Sequence, residues 1–446
     1  MTSEPLDQRF ADAMGQLLGP EFPTDIGLAV SGGGDSMAML YLAHNWTRTY
    51  GVRLWVVTVD HGLRPESASE AELVAKECEA LGWPHATVKW QWDRRGNVQD
   101  AARNARISLF DQWRGVVQHI LVAHTQDDQA ETVLMRLMRG SGVDGMAGMR
   151  QRRHVSPHPL GAPEIKVSGG QPPRGDGLGG YALLRPCLEM SRDSLRHYAR
   201  VLRGRWVEDP SNDDPKYDRV RLRKLLKSLA EEGITATTLA ETANRMARAR
   251  DGLVARLCDA ARSIARSAPL GQVLLDRDRF AGFDRETQMR LVAAALQYVA
   301  SVEYRPRALA TEALLDRVLS GAGGTLHGAE VLVDTDAIRI VRELKAVAKT
   351  RAKVGELWDD QWSLEVSAES EARLLTVAAL KDDGWRQLPQ RDAIAIPHRA
   401  ALSMPALWEG ATLIACPGVN FGSDVVAQRF VLGRTDAGFE AFCVSH

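Results

Sequence analysis

Between residues 26 and 140, short apolar runs alternate with longer stretches of helical periodicity, and this alternation constrains the fold more than any other feature of the chain. The runs at 26–30, 53–60, 86–92 and 119–123 are rich in Val, Leu and Ile. Runs apolar on both faces are the pattern of strands buried in a parallel sheet. The stretches between them read as helices, the first beginning near Met37. Ser69 followed by Glu72 has the spacing of a capping box for the second. Val98, Ala102, Ala105 and Leu109 give the third an apolar stripe. Strand–helix alternation of this kind specifies a doubly wound α/β domain with a parallel sheet and ligands at the carboxyl ends of its strands.

The chain has 446 residues, more than one ordinary domain, so two or three compact units are expected. Residues 151–182 are rich in Gly and Pro, lack periodicity, and read as one long loop, mobile or ordered only by a ligand. A helical block follows. Thr238 and Glu241 open an amphipathic pattern through Leu239, Ala243, Met246, Leu253 and Leu257, with further helices at 284–299 and 307–319. A glycine-rich turn at 321–328 and two short strand-like runs close the block near Leu344. The charged stretch 345–356 reads as a linker and the remainder as a small α+β or β-rich unit. The expected division is a catalytic domain at 1–215, a helical domain at 216–350 and a small C-terminal domain at 357–446.

Composition, 45% apolar and 25% charged, is that of a soluble globular chain with ample core. No stretch approaches the roughly 20 apolar residues of a membrane span, and the polar N-terminus has no signal-peptide core. Cys78, Cys187, Cys258, Cys416 and Cys443 are scattered without a CxxC pair and read as reduced thiols, so a cytoplasmic protein is expected. The formal net charge is −1, yet residues 185–227 concentrate Arg192, Arg196, Arg200, Arg203, Arg205, Arg219, Arg221, Arg223 and Lys224. Such a cluster is either a nucleic-acid surface or a solvated helix face.

The first strand runs directly into Ser31-Gly32-Gly33-Gly34-Asp35-Ser36. Three glycines let backbone N–H groups approach an anion, and the N-terminus of the following helix adds partial positive charge. No Gly-Lys-Ser/Thr closes the loop, so it is not a Walker A element, and Met37 stands where a G-x-G-x-x-G loop needs its last glycine. Without a lysine, the loop is suited to holding pyrophosphate through backbone and hydroxyls, with Asp35 as a candidate Mg²⁺ ligand. Arg103 and Arg106, three apart, share a helix face and can reach phosphates. Asp128 and Glu131 lie three apart at the start of the helix after the fourth strand, beside His124. They are N-terminal charge caps, a pocket for ammonium groups, or a Mg²⁺ site. His61 and His124 end strands where a cleft should open.

These motifs carry a resemblance. Residues 31–36 match the SGGxDS signature of PP-loop ATPases, which cleave ATP between the α and β phosphates. Asp60-His61-Gly62-Leu63-Arg64 and the helix from Asn97 to Arg106, with Asp100 where Glu is usual, resemble segments of the tRNA(Ile)-lysidine synthetases. So do His124-Thr125-Gln126-Asp127-Asp128-Gln129-Ala130-Glu131-Thr132 and Arg139-Gly140-Ser141-Gly142. Trp206 to Asn212 and Asp218-Arg219-Val220-Arg221 resemble the family's next stretch, with Val220 in place of Asn. Cys187 replaces a leucine after Arg185-Pro186. The last domain keeps Ile396-Pro397-His398-Arg399 and Met404-Pro405-Ala406-Leu407 but lacks the preceding basic stretch.

The resemblance implies an ATP-dependent ligase of bacterial type that joins L-lysine to the anticodon cytidine of a tRNA(Ile) with CAU anticodon, through an adenylylated cytidine. ATP with Mg²⁺ is the implied cofactor set; tRNA and lysine are the implied partners, and an oligomer is allowed. The implied catalytic residues are Asp35, His124, Asp128 and Glu131. Nucleotide contacts fall to Ser31, Gly32, Gly33, Gly34, Asp35, Ser36, His61, Arg103 and Arg106, and the metal to Asp35. A PP-loop tRNA thiolase would carry paired cysteines. A non-catalytic tRNA-binding homologue would not need SGGGDS and HTQDDQAET intact.

Overall fold

The structure, a computed structural model, describes residues 4–62, 67–90, 98–155, 166–175, 180–208, 218–266, 268–366, 374–389, 391–422, 425–432 and 434–445. It forms two compact units, Met1–Arg250 and Asp251–His446. That boundary coincides with none of the expected divisions.

The first unit runs α1 (Leu6–Leu18), β1 (Asp25–Ala29), α2 (Gly34–Tyr50), β2 (Arg53–Asp60), α3 (Ser67–Leu81), β3 (His85–Lys89), α4 (Val98–Trp113), β4 (His119–Val122), α5 (Gln126–Met138) and α6 (Val143–Met146). Then come β5 (Arg152–Val155), β6 (Lys166–Gly169), β7 (Tyr181–Leu184), α7 (Arg192–Val201), α8 (Asp218–Glu231) and α9 (Ala236–Ile264), whose C-terminal part belongs to the second unit. Among the described residues the sheet has the order β5-β7-β4-β1-β2-β3-β6. The five inner strands are parallel, and β5 and β6 pair antiparallel at the two edges.

Alternation along β1 builds both layers. Ile26 and Leu28 are fully buried with Phe10, Met37 and Leu40, Val74 of α3, and Leu195 of α7. The opposite face holds Val57, Val88, Ile120 and Val122 against Leu109, Phe110 and Trp113 of α4. Gly27 lies between these residues: a Cβ there would stand 3.2 Å from the Trp113 ring and 3.1 Å from Ile120.

Three local expectations are corrected. The 151–182 segment carries β5, β6 and the start of β7 instead of being one loop. Apart from Val167, β6 is exposed, and an exposed edge strand needs no apolar period for a sequence reading to detect. Helix α2 starts at Gly34, not Met37, so the last three residues of the glycine loop form its first turn. Helix α3 starts at Ser67, which puts Ser69 inside the helix; Ser67 Oγ donates to Asp60 Oδ1 at 2.6 Å.

In the second unit, β8 (Ala265–Arg266), β9 (Val273–Asp276), β10 (Gly324–Leu326), β11 (Ala329–Val333) and β12 (Ala337–Arg342) form an antiparallel sheet ordered β10-β11-β12-β9-β8. Its core is shared with the helices Arg285–Ala300 and Ala308–Leu319, which lie where periodicity places them. The stretch read as a linker is structured: Val347 is fully buried and Arg351–Lys353 pairs with Leu375–Ala379. Its charges lie on the exposed side of a sheet edge, which hid it. No described helix is long and apolar enough to cross a membrane.

Candidate active site

From β1 the chain winds to β2 and β3 on one side, then to β4 on the other, so the sheet's switch point lies between β1 and β4. In doubly wound sheets a crevice forms at such a point, outside the carboxyl ends of both strands. The glycine loop follows β1, and His124 and Thr125 follow β4.

Gly32 adopts φ +86°, a conformation that side chains strongly disfavour, and this lets the loop turn. Ser36 Oγ closes it, donating to the Gly33 carbonyl at 2.9 Å and accepting from Ser31 N at 3.1 Å. The N-cap of α2 is Gly33, which has no side chain to satisfy the first-turn N–H groups, so these are left for an anion. The segment 204–208 folds back over the loop: Val207 N donates to Gly32 O at 2.9 Å, and a Cβ on Gly34 would meet Trp206 and Arg196 at 3.4 Å.

Across the crevice, Thr125 caps α5 in a capping box with Asp128. Asp128 Oδ2 accepts from Thr125 N and Thr125 Oγ1, each at 2.9 Å. The charge-cap reading therefore accounts for one of its oxygens. The other, Oδ1, accepts from Arg192 Nη2 at 3.1 Å, while Arg192 Nε donates to Asp35 Oδ2 at 3.1 Å. Arg192 N donates to Asp127 Oδ2 at 2.7 Å. Glu131 is buried because its helix neighbours Ala130, Val133 and Leu134 face the interior. Its Oε1 accepts from Arg223 Nε at 2.7 Å and lies 3.6 Å from Arg192 Nη1. Glu131 Oε2 and Asp35 Oδ1 are buried without a hydrogen-bond partner.

One guanidinium thus neutralises carboxylates from both walls of the crevice. Burial raises the Asp35 carboxyl above its ordinary range, and the opposing pull of Arg192 does not cancel it. Burial would also raise Asp128, but Arg192, His124 and the Thr125 hydrogen bonds outweigh it, and its carboxyl is held low. Burial works against the charge on Arg192, yet Asp128, Asp35 and Glu131 keep it firmly protonated.

The two histidines stand apart, beyond opposite neighbours of β1. His61 follows β2, packs edge-on to Trp90 at 5.6 Å and has Nε2 3.3 Å from Arg106 Nη2. Burial, reinforced by the Arg106 charge, lowers it to about 4. It is therefore neutral at pH 7 and poorly matched to proton transfer there. His124 follows β4, and its Nδ1 accepts from Arg185 Nε at 3.1 Å. The Arg103 side chain, Leu63, Arg64, residues 209–217 and the Arg219 side chain lie outside the described residues.

Arg192, Arg196 and Arg223 were counted with the basic surface, and the structure turns them inward. Arg196 Nε stands 3.8 Å from Asp35 Oδ1 and its Nη1 3.6 Å from Glu208. Arg192 and Arg196 are four apart on α7 and share its inward face. The signal available in sequence was a charge at the interior of α5 that needed a partner.

Burial also holds His85 down to about 4. A histidine less basic in the fold than in the unfolded chain takes up a proton on unfolding, so stability falls as pH drops from about 6.5 to about 4. Denaturant midpoints between pH 7 and pH 5 are expected to decline, and less steeply in His61→Gln and His85→Gln. An undiminished slope in both variants would contradict these burial effects.

Residues 6–229 match the PP-loop domain family. The chain is 39% identical over 430 residues to a tRNA(Ile)-lysidine synthase of Ruegeria pomeroyi, covering 95% of each protein. It is 30% identical to that of Wolbachia pipientis, covering 90% of each, and 41% identical to that of a Bradyrhizobium species over 70% of this chain and 88% of the relative. With a nucleotide loop and a buried acid cluster facing one another at the switch point, the chain belongs to the tRNA(Ile)-lysidine synthase family.

Proposed function

We propose that the protein joins the ε-amine of L-lysine to C2 of the wobble cytidine in a tRNA(Ile) with CAU anticodon, consuming ATP and releasing AMP and pyrophosphate. Supporting this reading is the bridge Asp35–Arg192–Asp128, two contacts of 3.1 Å that bring the nucleotide loop and the acid cluster to one guanidinium.

The cytosine C2 oxygen is a poor leaving group. It first attacks the α-phosphorus, expelling pyrophosphate; the deprotonated lysine amine then attacks C2, and AMP leaves with the oxygen. The loop's backbone N–H groups and the start of α2 hold the departing pyrophosphate. Asp128 and Glu131 bind the lysine ammonium groups, and His124 lies beside Asp128 to assist proton movement. Arg103 and Arg106 contact phosphate, and His61 contacts the nucleotide in its neutral form. Asp35 Oδ1, buried without a hydrogen bond and 3.8 Å from Arg196 Nε, fits as a protein ligand for a Mg²⁺ bound with the nucleotide, which would spread the charge of the phosphates. The cytidine must be splayed from the anticodon stack to enter. Residues 216–350 and 357–446 grip the rest of the tRNA, and the protein works in the cytoplasm.

The thiolase alternative is disfavoured by the cysteines. All five are buried and free, and burial pushes Cys78, Cys416 and Cys443 up to about 12. Incubation with ATP, labelled lysine and tRNA(Ile) transcript is expected to yield labelled tRNA and stoichiometric AMP. A transcript with another anticodon nucleotide at the wobble position should take no label. AMP release without lysine incorporation would sink the reading.

Arg200, Arg203 and Arg205 remain exposed at the end of α7 and beyond it. Reversing their charges is expected to weaken tRNA binding and flatten its salt dependence by roughly 0.7–0.9 in log–log slope per lost phosphate contact. Binding isotherms at several salt concentrations measure this; an unaltered slope would remove the three from the tRNA path.

A further inference from the structure

We infer that Arg192 is a resident counter-cation that bars lysine from Asp128 until nucleotide draws it away, so that ATP binds before lysine. This rests on the function proposed above. Both oxygens of Asp128 are engaged, Oδ2 by Thr125 and Oδ1 by Arg192. The one acceptor position left on Asp128 is on Oδ1, beside the Arg192 charge, so an ammonium group pairs fully with this carboxylate only by displacing that guanidinium. That exchange is unfavourable in the free protein, because the guanidinium is tethered, 16% exposed, and within 3.1–3.6 Å of Asp35, Asp128 and Glu131. A tethered cation competes at a high effective concentration.

Nucleotide changes the competition. Arg192 Nε is bonded to Asp35, the second residue of α2, at the edge of the loop where the phosphates lie. A polyphosphate offers the planar guanidinium a bidentate partner with more charge than a carboxylate. When Arg192 turns to it, Asp128 Oδ1 is released. Glu131 stays held through Oε1 by Arg223, with Oε2 unpartnered. Asp128 Oδ1, freed by that move, and Glu131 Oε2, already without a partner, are the acceptors an incoming amine needs, and they are open together only once Arg192 has moved.

The test is lysine binding by calorimetry, without tRNA, to protein alone and to protein saturated with α,β-methylene ATP and Mg²⁺. The analogue is expected to tighten lysine binding about tenfold or more, the effect of one charge-assisted hydrogen bond gained. Arg192→Met is expected to bind lysine without nucleotide nearly as tightly as with it. Equal affinity in both states of the wild type overturns the inference, as does wild-type coupling in Arg192→Met. Should that variant fail to fold, Arg192→Lys keeps the charge but cannot bridge three carboxylates. Reduced coupling there supports the inference and full coupling overturns it. Lysine incorporation into tRNA, measured in parallel on the wild type, separates the failures. Incorporation without coupling sinks the ordering alone, and no incorporation sinks the reading beneath it.

Discussion

Ser36→Ala and Asp35→Asn are expected to lose on the order of a hundredfold or more in pyrophosphate release while melting within a few degrees of the wild type. Ser36 Oγ is the atom that closes the loop, touching Ser31 N, Ser31 Oγ and Gly33 O within 3.2 Å. Without it, the backbone donors at the start of α2 lose the geometry proposed above to receive a leaving pyrophosphate. Preorganised donors of this kind act through position, so the loss should fall on turnover more than on ATP affinity. Asp35→Asn keeps the volume and a partner for Arg192 but removes the charge proposed to hold Mg²⁺. Near-normal AMP formation in both variants, with unchanged melting, would exclude the loop from the chemistry.

A comparable effect on stability is expected in the second unit. Arg429 has only 4% of its side chain exposed. It donates to Asp436 Oδ2 at 2.9 Å, to the Tyr298 carbonyl at 2.6 Å and to Gln361 Oε1 at 3.0 Å. Its guanidinium also stacks 4.3 Å from the Tyr298 ring centroid. Truncation takes the paired cation from Asp436, which among the described residues keeps only the Tyr298 hydroxyl and the Gly438 N–H, removes the donor to Gln361 Oε1, and leaves a void beside Trp362. Arg429→Ala is therefore expected to destabilise the unit by about 3–5 kcal/mol. Arg429→Lys should recover part of that, since a point charge replaces a rigid fork. Denaturant unfolding followed by tryptophan fluorescence measures both; a loss below about 1 kcal/mol in the alanine variant would refute the role given to Arg429.

How much was legible in sequence depended on whether the cause was local. Strands β1 to β4 and the glycine loop were legible because a buried parallel strand is apolar on both faces and because a run of three glycines has few structural uses. Asp128 was legible as a charge at a helix start, but Thr125 was not read as its capping partner. Strand β6 was not legible, since its partner β3 lies far off in sequence and its side chains mostly face solvent. Arg192 was legible as a charge but not as a partner. Sequence assigned it to a basic surface, whereas its carboxylates come from Asp35 and Asp128, 157 and 64 residues away. Charge is a property of a residue, but neutralisation is a property of the fold.

The strap at 204–208 has a consequence for how this region tolerates change. It is fastened at one end, where Val207 bonds to Gly32 and Glu208 lies beside Arg196. At its other end the Gly204 N–H donates to the Ala199 carbonyl at 2.9 Å. The short run from Gly204 to Val207 is thus held between α7 and the glycine loop, and its contour length becomes part of the site's dimensions. Substitutions within it alter chemistry at single positions. An inserted or deleted residue would instead shift the register of one anchor against the other, so this stretch should accept new letters far more readily than a new length.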